Sequence, residues 1–198
     1  MSRIITDDVG VTRCGWAAVE PETTYHDTEW GFPLDGDDAF FERVCLEGFQ
    51  SGLSWRTILN KRENFRTAFA GFDIESVARF GDDDIARLLD DAGIIRHRGK
   101  IEATINNARR AVELIDKEGS LQTFFWGYEP LVQPVPQTMS TSPESITLSK
   151  DLKKRGWKFV GPTTMFALMQ AAGIVNDHAH ECITRPRVEA ARKKWSSR

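Results

Sequence analysis

A single carboxylate, Glu47, lies in an otherwise apolar stretch, and its position makes it the first candidate for chemistry. The apolar residues of 40–49 recur at helical spacing, and Gly48 and Gly52 then interrupt the helix before Trp55. A charge beside aromatic rings and a broken backbone suits a pocket for a flat polar ring. The simpler interpretation is a helical corner with Glu47 in water and Trp55 in the core. Taken alone, the stretch favours that simpler interpretation.

Two cysteines and two histidines form a second candidate set. His178 and Cys182 are four residues apart and face the same way on a helix, while Cys14 and His26 lie near the other end of the chain. Two thiolates and two imidazoles complete a tetrahedral structural zinc site, without an open position for catalysis. His180 is an alternative ligand. The other interpretation is two buried thiols and two ordinary histidines.

A basic turn at residues 92–100 is a third candidate. Gly93 and Gly99 bound it, and free backbone N–H groups beside Arg96, Arg98 and Lys100 could meet phosphates. The turn resembles the helix-hairpin-helix of DNA repair proteins. The alternative is a glycine C-cap followed by a solvated basic turn. Further basic patches at 150–158 and 185–198 support DNA contact, although each alone is typical of a wet surface.

Length, charge and cysteine content limit the class of protein. The chain has 198 residues and a net charge of −3, so the total charge gives no indication of nucleic-acid binding. Three widely spaced cysteines argue against a disulfide framework. No segment approaches the ~20 apolar residues of a membrane span, and the first residues are too polar for a secretory signal. We therefore expect a cytoplasmic protein without membrane contact.

The elements that must position these candidates are helical. Periodicity predicts helices over about 38–49, 54–72, 82–91, 100–117, 121–126 and 147–155, and one from Gly161 to Gly173. Residues 25–31 lack periodicity and are predicted to be irregular, and the prolines of 128–146 indicate an ordered loop or linker. No sustained strand alternation is present. The predicted fold is all-α, with a flexible leader over 1–12, a helical domain over 13–185 and a basic tail over 186–198.

Several motifs, in this order, resemble those of the 3-methyladenine DNA glycosylase I family. The resemblance covers about residues 13–185 and excludes the leader and the tail. The motifs are Arg13-Cys14-Gly15-Trp16, Tyr25-His26-Asp27-Thr28-Glu29-Trp30-Gly31, the stretch 45–55, the turn 92–100, Lys153-Lys154-Arg155-Gly156, Lys158-Phe159-Val160-Gly161 and Asn176-Asp177-His178.

This resemblance implies a compact helix-hairpin-helix DNA glycosylase with one structural Zn²⁺ that joins the two ends of the chain. It implies the four metal ligands named above and a base pocket at the positions of Tyr25, Trp30, Glu47 and Trp55. The family lacks the catalytic aspartate that most of its superfamily uses. One departure concerns Glu22, which stands where the family often has a second tyrosine, so stacking on that side of the base should differ.

The implied reaction is the hydrolytic release of 3-methyladenine from alkylated double-stranded DNA in base excision repair, without lyase activity. N3 methylation makes the base a cationic leaving group, which Tyr25 and Trp55 would stack after the nucleotide is flipped out of the duplex. Glu47 would recognise the adenine edge and assist electrostatically. Leu53, with Gln50 and Gly52 beside it, would wedge into the gap or else be a core leucine.

Three alternatives remain open at this stage. A lyase would need a Schiff-base lysine, for which Lys100 is a candidate. A zinc-stapled module could bind damaged DNA without cutting it. Catalysis by the zinc itself is the third alternative, which the closed ligand set disfavours. We expect a monomer that binds alkylated DNA and releases the free base.

Overall fold

The computed structural model describes residues 4–195, and that part of the chain contains eleven α-helices, one short 3-10 helix and a two-stranded hairpin. The predicted all-α class is therefore confirmed. In residues 4–195, no helix combines the length and apolar character needed to span a membrane. The strands are β1 (Ile4–Thr6) and β2 (Thr12–Cys14), and the helices are α1 (Glu22–Thr28), α2 (Asp37–Gln50), α3 (Trp55–Leu59), α4 (Arg62–Ala68), α5 (Ile74–Ala78), α6 (Asp82–Asp90), α7 (Arg98–Glu118), α8 (Leu121–Trp126), α9 (Pro143–Lys154), α10 (Pro162–Ala171) and α11 (Arg185–Trp195), with the 3-10 helix Ala70–Phe72 between α4 and α5.

Helix α2 is the central element of the fold. It begins after Gly36, and Asp37 and Asp38 occupy its first turn, where a negative charge complements the helix dipole. Its residues from Phe40 to Phe49 are almost all buried, and it packs against α3, α7, α8 and α10. Carboxylates are rarely buried unless they are paired, so the presence of Glu47 in the last turn of this buried helix requires an explanation.

The turn at 91–97 joins α6 to the longest helix, α7. His97 caps α7, since its Nδ1 accepts a hydrogen bond from the Lys100 N–H at 3.2 Å. Arg96, His97 and Arg98 are exposed, whereas Ile94 is buried and holds the turn to the core. The predicted pair of helices with a basic turn is present, and α7 begins two residues earlier than expected.

Two predictions about local structure were wrong. Residues 25–28 of the segment 25–31, which was expected to be irregular, belong to helix α1. This helix lacks one continuous apolar face because Tyr25 and His26 are buried in two different sites. Residues 4–12, expected to belong to a flexible leader, form an antiparallel hairpin with the start of the predicted domain, in which Ile4 pairs with Cys14. Strands of three residues are too short to show alternation in the sequence.

The segments outside the main core are tied to it by specific contacts. The predicted loop of 128–146 is free of helix only as far as residue 142, because α9 begins at Pro143, four residues earlier than expected. Gln133 and Gln137 attach this loop to the segment after α10 through hydrogen bonds with Asn176 and Asp177. The basic C-terminal segment is helical as far as Trp195. Residues 1–3 of the predicted leader and 196–198 of the tail lie outside the described part of the chain.

Candidate active site

Helix α1 separates two buried sites and contributes neighbouring residues to them. Tyr25 is 3% exposed and faces a cavity, and His26 is fully buried in a cluster of cysteines and histidines. We call the first site the base pocket and define it by Tyr25, Trp30, Glu47 and Trp55. We call the second site the Cys/His cluster and define it by Cys14, His26, His178 and Cys182.

The Cys/His cluster has the geometry of a four-ligand metal site. Its four candidate ligand atoms lie within 4.8 Å of one another, and all four residues are buried. The Cys182 sulfur lies 3.4 Å from His26 Nε2 and 3.5 Å from His178 Nδ1, and Cys14 Sγ lies 3.8 Å from His178 Nδ1. A tetrahedral zinc ion with bonds of about 2.0–2.3 Å separates its ligands by roughly 3.3–3.8 Å. The donor set therefore fits such an ion, and His180, which is exposed, is not part of the cluster.

Further groups orient the cluster from outside. His26 Nδ1 lies 2.7 Å from an Asp27 carboxylate oxygen, and His178 Nε2 lies 2.9 Å from the Trp30 carbonyl. Such partners fix the ring orientation of metal-binding histidines. Hydrogen bonding between the two sulfurs lowers the pKa of Cys182 and raises that of Cys14.

The base pocket is a cavity of about 410 Å³ with aromatic walls and a carboxylate inside. Tyr25 and Trp55 approach with ring centroids 5.3 Å apart, and Trp16 packs edge-on against Trp30 at 5.1 Å. The volume lies within the range typical of small-molecule sites. All four predicted pocket residues line this cavity, and so does Gln50, which was predicted to contact DNA.

Glu47 is 5% exposed and lines the cavity, and its carboxylate makes no hydrogen bond to another described residue. Burial raises the pKa of Glu47 to about 7, and the charge of Arg43 opposes that shift. The Trp55 indole N–H is also buried without a hydrogen-bond partner in the described structure. Buried polar groups are usually paired, so an unpaired indole N–H in a cavity that also holds a carboxylate identifies a place for a polar ligand.

Other polar residues of the pocket were not recognised from the sequence. Asp177 lines the cavity, and its carboxylate accepts hydrogen bonds from Gln170 Nε2 at 2.6 Å and from the Gln137 N–H at 2.8 Å. Burial raises the pKa of Asp177. Asp177 could have been recognised from the sequence, because it stands next to His178 in the motif Asn176-Asp177-His178. Arg43, four residues before Glu47, could have been found from helical spacing.

Glu22 lines the base pocket and is paired there. Its carboxylate accepts hydrogen bonds from the Arg56 Nε at 3.1 Å and Nη2 at 2.5 Å. The pair links α1, which carries Tyr25, to α3, which carries Trp55. An ion pair therefore stands at the position where the resemblance to the family leads us to expect a stacking ring.

The predicted DNA-contact residues fall into two neighbouring surfaces. Gly52 and Leu53 lie in the loop after α2, and Leu53 is 40% exposed, which excludes its alternative as a core leucine. Gly52 has a φ of 81°, a conformation that favours glycine. Arg96 and Arg98 are exposed in the second surface, and the N–H groups of Arg98 and Gly99 have no partner among residues 4–195.

Two residues of the turn are engaged within the protein. Lys100, expected at the DNA, is 7% exposed, and its amine donates to the carbonyls of Phe49 at 2.8 Å and Ser51 at 2.7 Å. Burial lowers the pKa of Lys100. The Gly93 N–H donates to the Asp91 carboxylate at 2.7 Å. In this arrangement neither group points to a phosphate, because each satisfies a local partner.

Three features define the class of this protein: a helical fold, an aromatic pocket with a buried carboxylate, and a Cys/His cluster. A family model identifies that class. The methyladenine glycosylase model matches residues 16–185, and the chain belongs to this family. The chain is 47% identical to DNA-3-methyladenine glycosylase 1 of Escherichia coli strain K12 over 181 residues, covering 88% of this chain and 97% of the relative.

Solved structures agree with this assignment. A crystal structure of 3-methyladenine DNA glycosylase I superimposes with a TM-score of 0.82 at 44% identity, covering 86% of this chain and 98% of the other. A point variant of a 3-methyladenine DNA glycosylase I, in complex with 3-methyladenine, gives a TM-score of 0.82 at 35% identity over 87% and 97% of the two chains. The resemblance found in the sequence is thereby confirmed.

Proposed function

We propose that this protein is a monofunctional DNA-3-methyladenine glycosylase that hydrolyses the N-glycosidic bond of 3-methyladenine in alkylated double-stranded DNA. The observation that carries the proposal is the buried Glu47 carboxylate, which lines an aromatic cavity large enough to hold a nucleobase. Relatives that match nearly the whole chain bear the name of this activity.

The reaction begins with a base that is already a good leaving group. Methylation at N3 gives the adenine ring a positive charge, so little acid assistance is needed to break the bond. The nucleotide must leave the stack because the bond cannot be reached in a duplex, as is general for glycosylases. Tyr25 and Trp55, whose rings are 5.3 Å apart and tilted by 46°, then stack the cationic ring with a cation–π contribution.

Glu47 supplies the polar part of recognition. Its carboxylate accepts hydrogen bonds from the adenine edge, and charge-assisted bonds of this kind are about twice as strong as neutral ones. A cation in the pocket stabilises the ionised form of Glu47 against the burial that raises its pKa to about 7. Unmethylated adenine lacks this charge, which gives selectivity. Water attacks the sugar carbon as the bond to the base breaks and the oxocarbenium ion develops.

The DNA duplex lies across the two surfaces described above. The free N–H groups of Arg98 and Gly99 at the start of α7 form a phosphate site of the kind that helix N-termini provide, and Arg96 adds charge. In this role the turn between α6 and α7 is a helix-hairpin-helix. Leu53, exposed beside Gln50 and Gly52, fills the gap that the flipped base leaves. Lys100 stabilises that loop through hydrogen bonds from its amine to the carbonyls of Phe49 and Ser51.

The Cys/His cluster holds one structural Zn²⁺ in this proposal. Its four residues leave no ligand position open, so the ion stabilises the fold and supplies no catalytic water. It joins β2 to the segment before α11 and keeps the 13–185 domain closed around α1. Because Tyr25 and His26 are adjacent, the ion also fixes the helix that presents Tyr25 to the base.

Two alternatives can be weighed against the structure. A lyase needs an accessible lysine nucleophile, whereas the Lys100 amine is buried and donates to two carbonyls. A module that binds damaged DNA without catalysis has no need of a buried carboxylate in its ligand pocket, a group whose burial is costly. Hydrolytic base release agrees with both observations, because it needs no lysine nucleophile and gives the buried carboxylate a role.

The test is product analysis on methylated duplex DNA. Purified protein should release free 3-methyladenine, detected by chromatography, and should leave abasic sites without strand cleavage. Borohydride added during the reaction should trap no covalent DNA adduct. Absence of released base with intact DNA binding would favour the non-catalytic module, and a trapped adduct would favour the lyase.

A further inference from the structure

We propose that Arg43 is a positioning residue of the base pocket, which fixes the Tyr25 ring and keeps a permanent positive charge behind the stacking rings and near Glu47. This inference rests on the function proposed above and deepens it. Arg43 lies on α2, one helical turn before Glu47, and is only 3% exposed. Arginine is almost never fully buried without a partner.

The contacts of Arg43 point towards the pocket. Its Nη1 donates a hydrogen bond of 2.5 Å to the Tyr25 hydroxyl. Its guanidinium carbon lies 5.2 Å from the centroid of the Tyr25 ring and 5.8 Å from that of Trp55. A planar guanidinium suits such contacts because it donates and stacks at once. With Arg43 over these rings, the base must stack on ring surfaces that Arg43 leaves open.

An ordinary ion pair does not explain this placement. The nearest carboxylate is that of Glu29, at 3.6 Å from Arg43 Nη2, which is long for a hydrogen bond. Glu29 already accepts a bond of 2.6 Å from Arg62. Glu29 would therefore keep a cationic partner without Arg43, whereas the Tyr25 hydroxyl would lose the only hydrogen bond that it makes within residues 4–195.

The charge of Arg43 also acts on Glu47. It opposes the effect of burial on the pKa of that carboxyl. The other ionisable groups that line the pocket with Glu47 are already engaged: Glu22 of α1 with Arg56 of α3, and Asp177 after α10 with Gln170. A guanidinium remains charged throughout the physiological pH range. It therefore keeps part of the Glu47 population ionised before the cationic base arrives.

Three variants separate position from charge. Arg43→Met removes both the hydrogen bond and the charge while keeping the length of the side chain. Arg43→Lys keeps the charge but cannot donate to Tyr25 and lie flat against two rings. Arg66→Met is the matched control, because Arg66 of α4 belongs to the same ion-pair network through Glu42 and has no contact with the pocket rings.

Two readouts on the full chain decide the proposal. The first is the pH titration of the Glu47 carboxyl carbon by NMR, assigned with Glu47→Gln, and the second is the pH profile of single-turnover base release. Arg43→Met should move both midpoints to higher pH and lower release at pH 7 about tenfold. Arg43→Lys should keep both midpoints near the parent while its rate stays severalfold lower, and Arg66→Met should match the parent.

The proposal is overturned if Arg43→Met leaves the Glu47 midpoint unchanged, or if it lowers only the unfolding temperature as a structural residue would. Failure of the proposed function is distinguishable from this result. A parent protein that releases no base contradicts the glycosylase assignment, whereas the NMR titration still decides what Arg43 does to Glu47.

Discussion

The Cys/His cluster and the base pocket are both buried, and they share α1, but they treat their polar atoms in opposite ways. In the cluster each nitrogen or sulfur faces another polar atom at 2.7–3.8 Å. In the pocket the Trp55 indole N–H is buried without a hydrogen-bond partner among the described residues, and the Glu47 carboxylate lines the cavity without a hydrogen bond to any of them. A self-paired set suits an ion that completes the fold. Unpaired groups around a cavity suit a ligand that arrives and leaves.

This difference separates stability from activity. The cluster joins segments that are more than 150 residues apart, as in the approach of Cys14 to His178, so its loss should weaken the whole domain. The pocket lies at the end of α2, where the helix is already held by α10 and α7. Its residues should therefore affect base recognition more than folding, and Glu47 should even oppose folding at neutral pH.

The largest expected effect is on the cluster. Cys182→Ser should lower the free energy of unfolding by roughly 4–5 kcal/mol, the loop-closure contribution estimated for a long cross-link. Denaturant unfolding with metal analysis measures it. Cys45→Ser is the matched control, because Cys45 is an equally buried thiol on α2 outside the cluster. Equal losses in the two variants, or less than half an equivalent of zinc in the parent, would remove the metal from this account.

The next effect concerns the cost of burying Glu47. Its pKa of about 7 in the folded protein lies above the ordinary 4.5, so the folded state binds the proton more tightly than the unfolded state. Stability is therefore lost as pH rises from 4.5 to 7. Glu47→Gln removes this loss and should stabilise the protein at pH 8, relative to pH 4.5, by about 3 kcal/mol or less.

Glu42→Gln is the control for that experiment and should behave in the opposite sense. Although burial raises the pKa of Glu42, Arg66 and Arg62 outweigh it and hold the pKa below the ordinary value. Its contribution is present above the unfolded pKa and is lost as pH falls. Glu42→Gln should therefore destabilise the protein at neutral pH. A Glu47→Gln variant that also loses stability at pH 8 would show that the carboxylate has an unrecognised partner.

A smaller effect is expected from the stacking wall. Trp55→Ala should weaken the binding of free 3-methyladenine roughly 10- to 100-fold, since base–aromatic stacking contributes about 1–3 kcal/mol. Calorimetric titration measures it. Trp126→Ala is matched, because the Trp126 indole N–H is also buried without a partner in residues 4–195 but lies outside the pocket. Comparable weakening by both variants would mean that the effect is structural.

The smallest effect is on the DNA surface. Arg96→Ala should weaken duplex binding at all sequences alike and reduce the slope of log K against log salt by about 1, the contribution of one phosphate contact. Fluorescence anisotropy at several salt concentrations measures it. Arg79→Ala, at an exposed arginine that ends α5, should leave the slope unchanged. An unchanged slope in Arg96→Ala would remove the turn from the DNA interface.

The sequence was sufficient for the helical class because helical periodicity depends on residue type and spacing. The two sites were predicted from the resemblance to the family, since the stretch around Glu47 taken alone favoured a solvated carboxylate. Helical periodicity located α2 and α7, and the motifs that resemble the family predicted that Cys14 and His178 lie close together although they are far apart in the chain. It failed where a tertiary contact decides the outcome. Helix α1 shows no single apolar face because its two buried residues serve different sites. The sequence predicts that Lys100 contacts a phosphate, whereas in the folded protein its amine donates to the carbonyls of Phe49 and Ser51.

The central claim is that Glu47 recognises and assists release of the cationic base. Single-turnover release of 3-methyladenine from methylated duplex DNA at pH 7.5, compared between the parent and Glu47→Gln, tests it most directly. We expect the parent to release the base and Glu47→Gln to be roughly 10- to 100-fold slower, the value of a lost charge-assisted hydrogen bond, with unchanged zinc content. Equal rates in the two proteins would contradict the account.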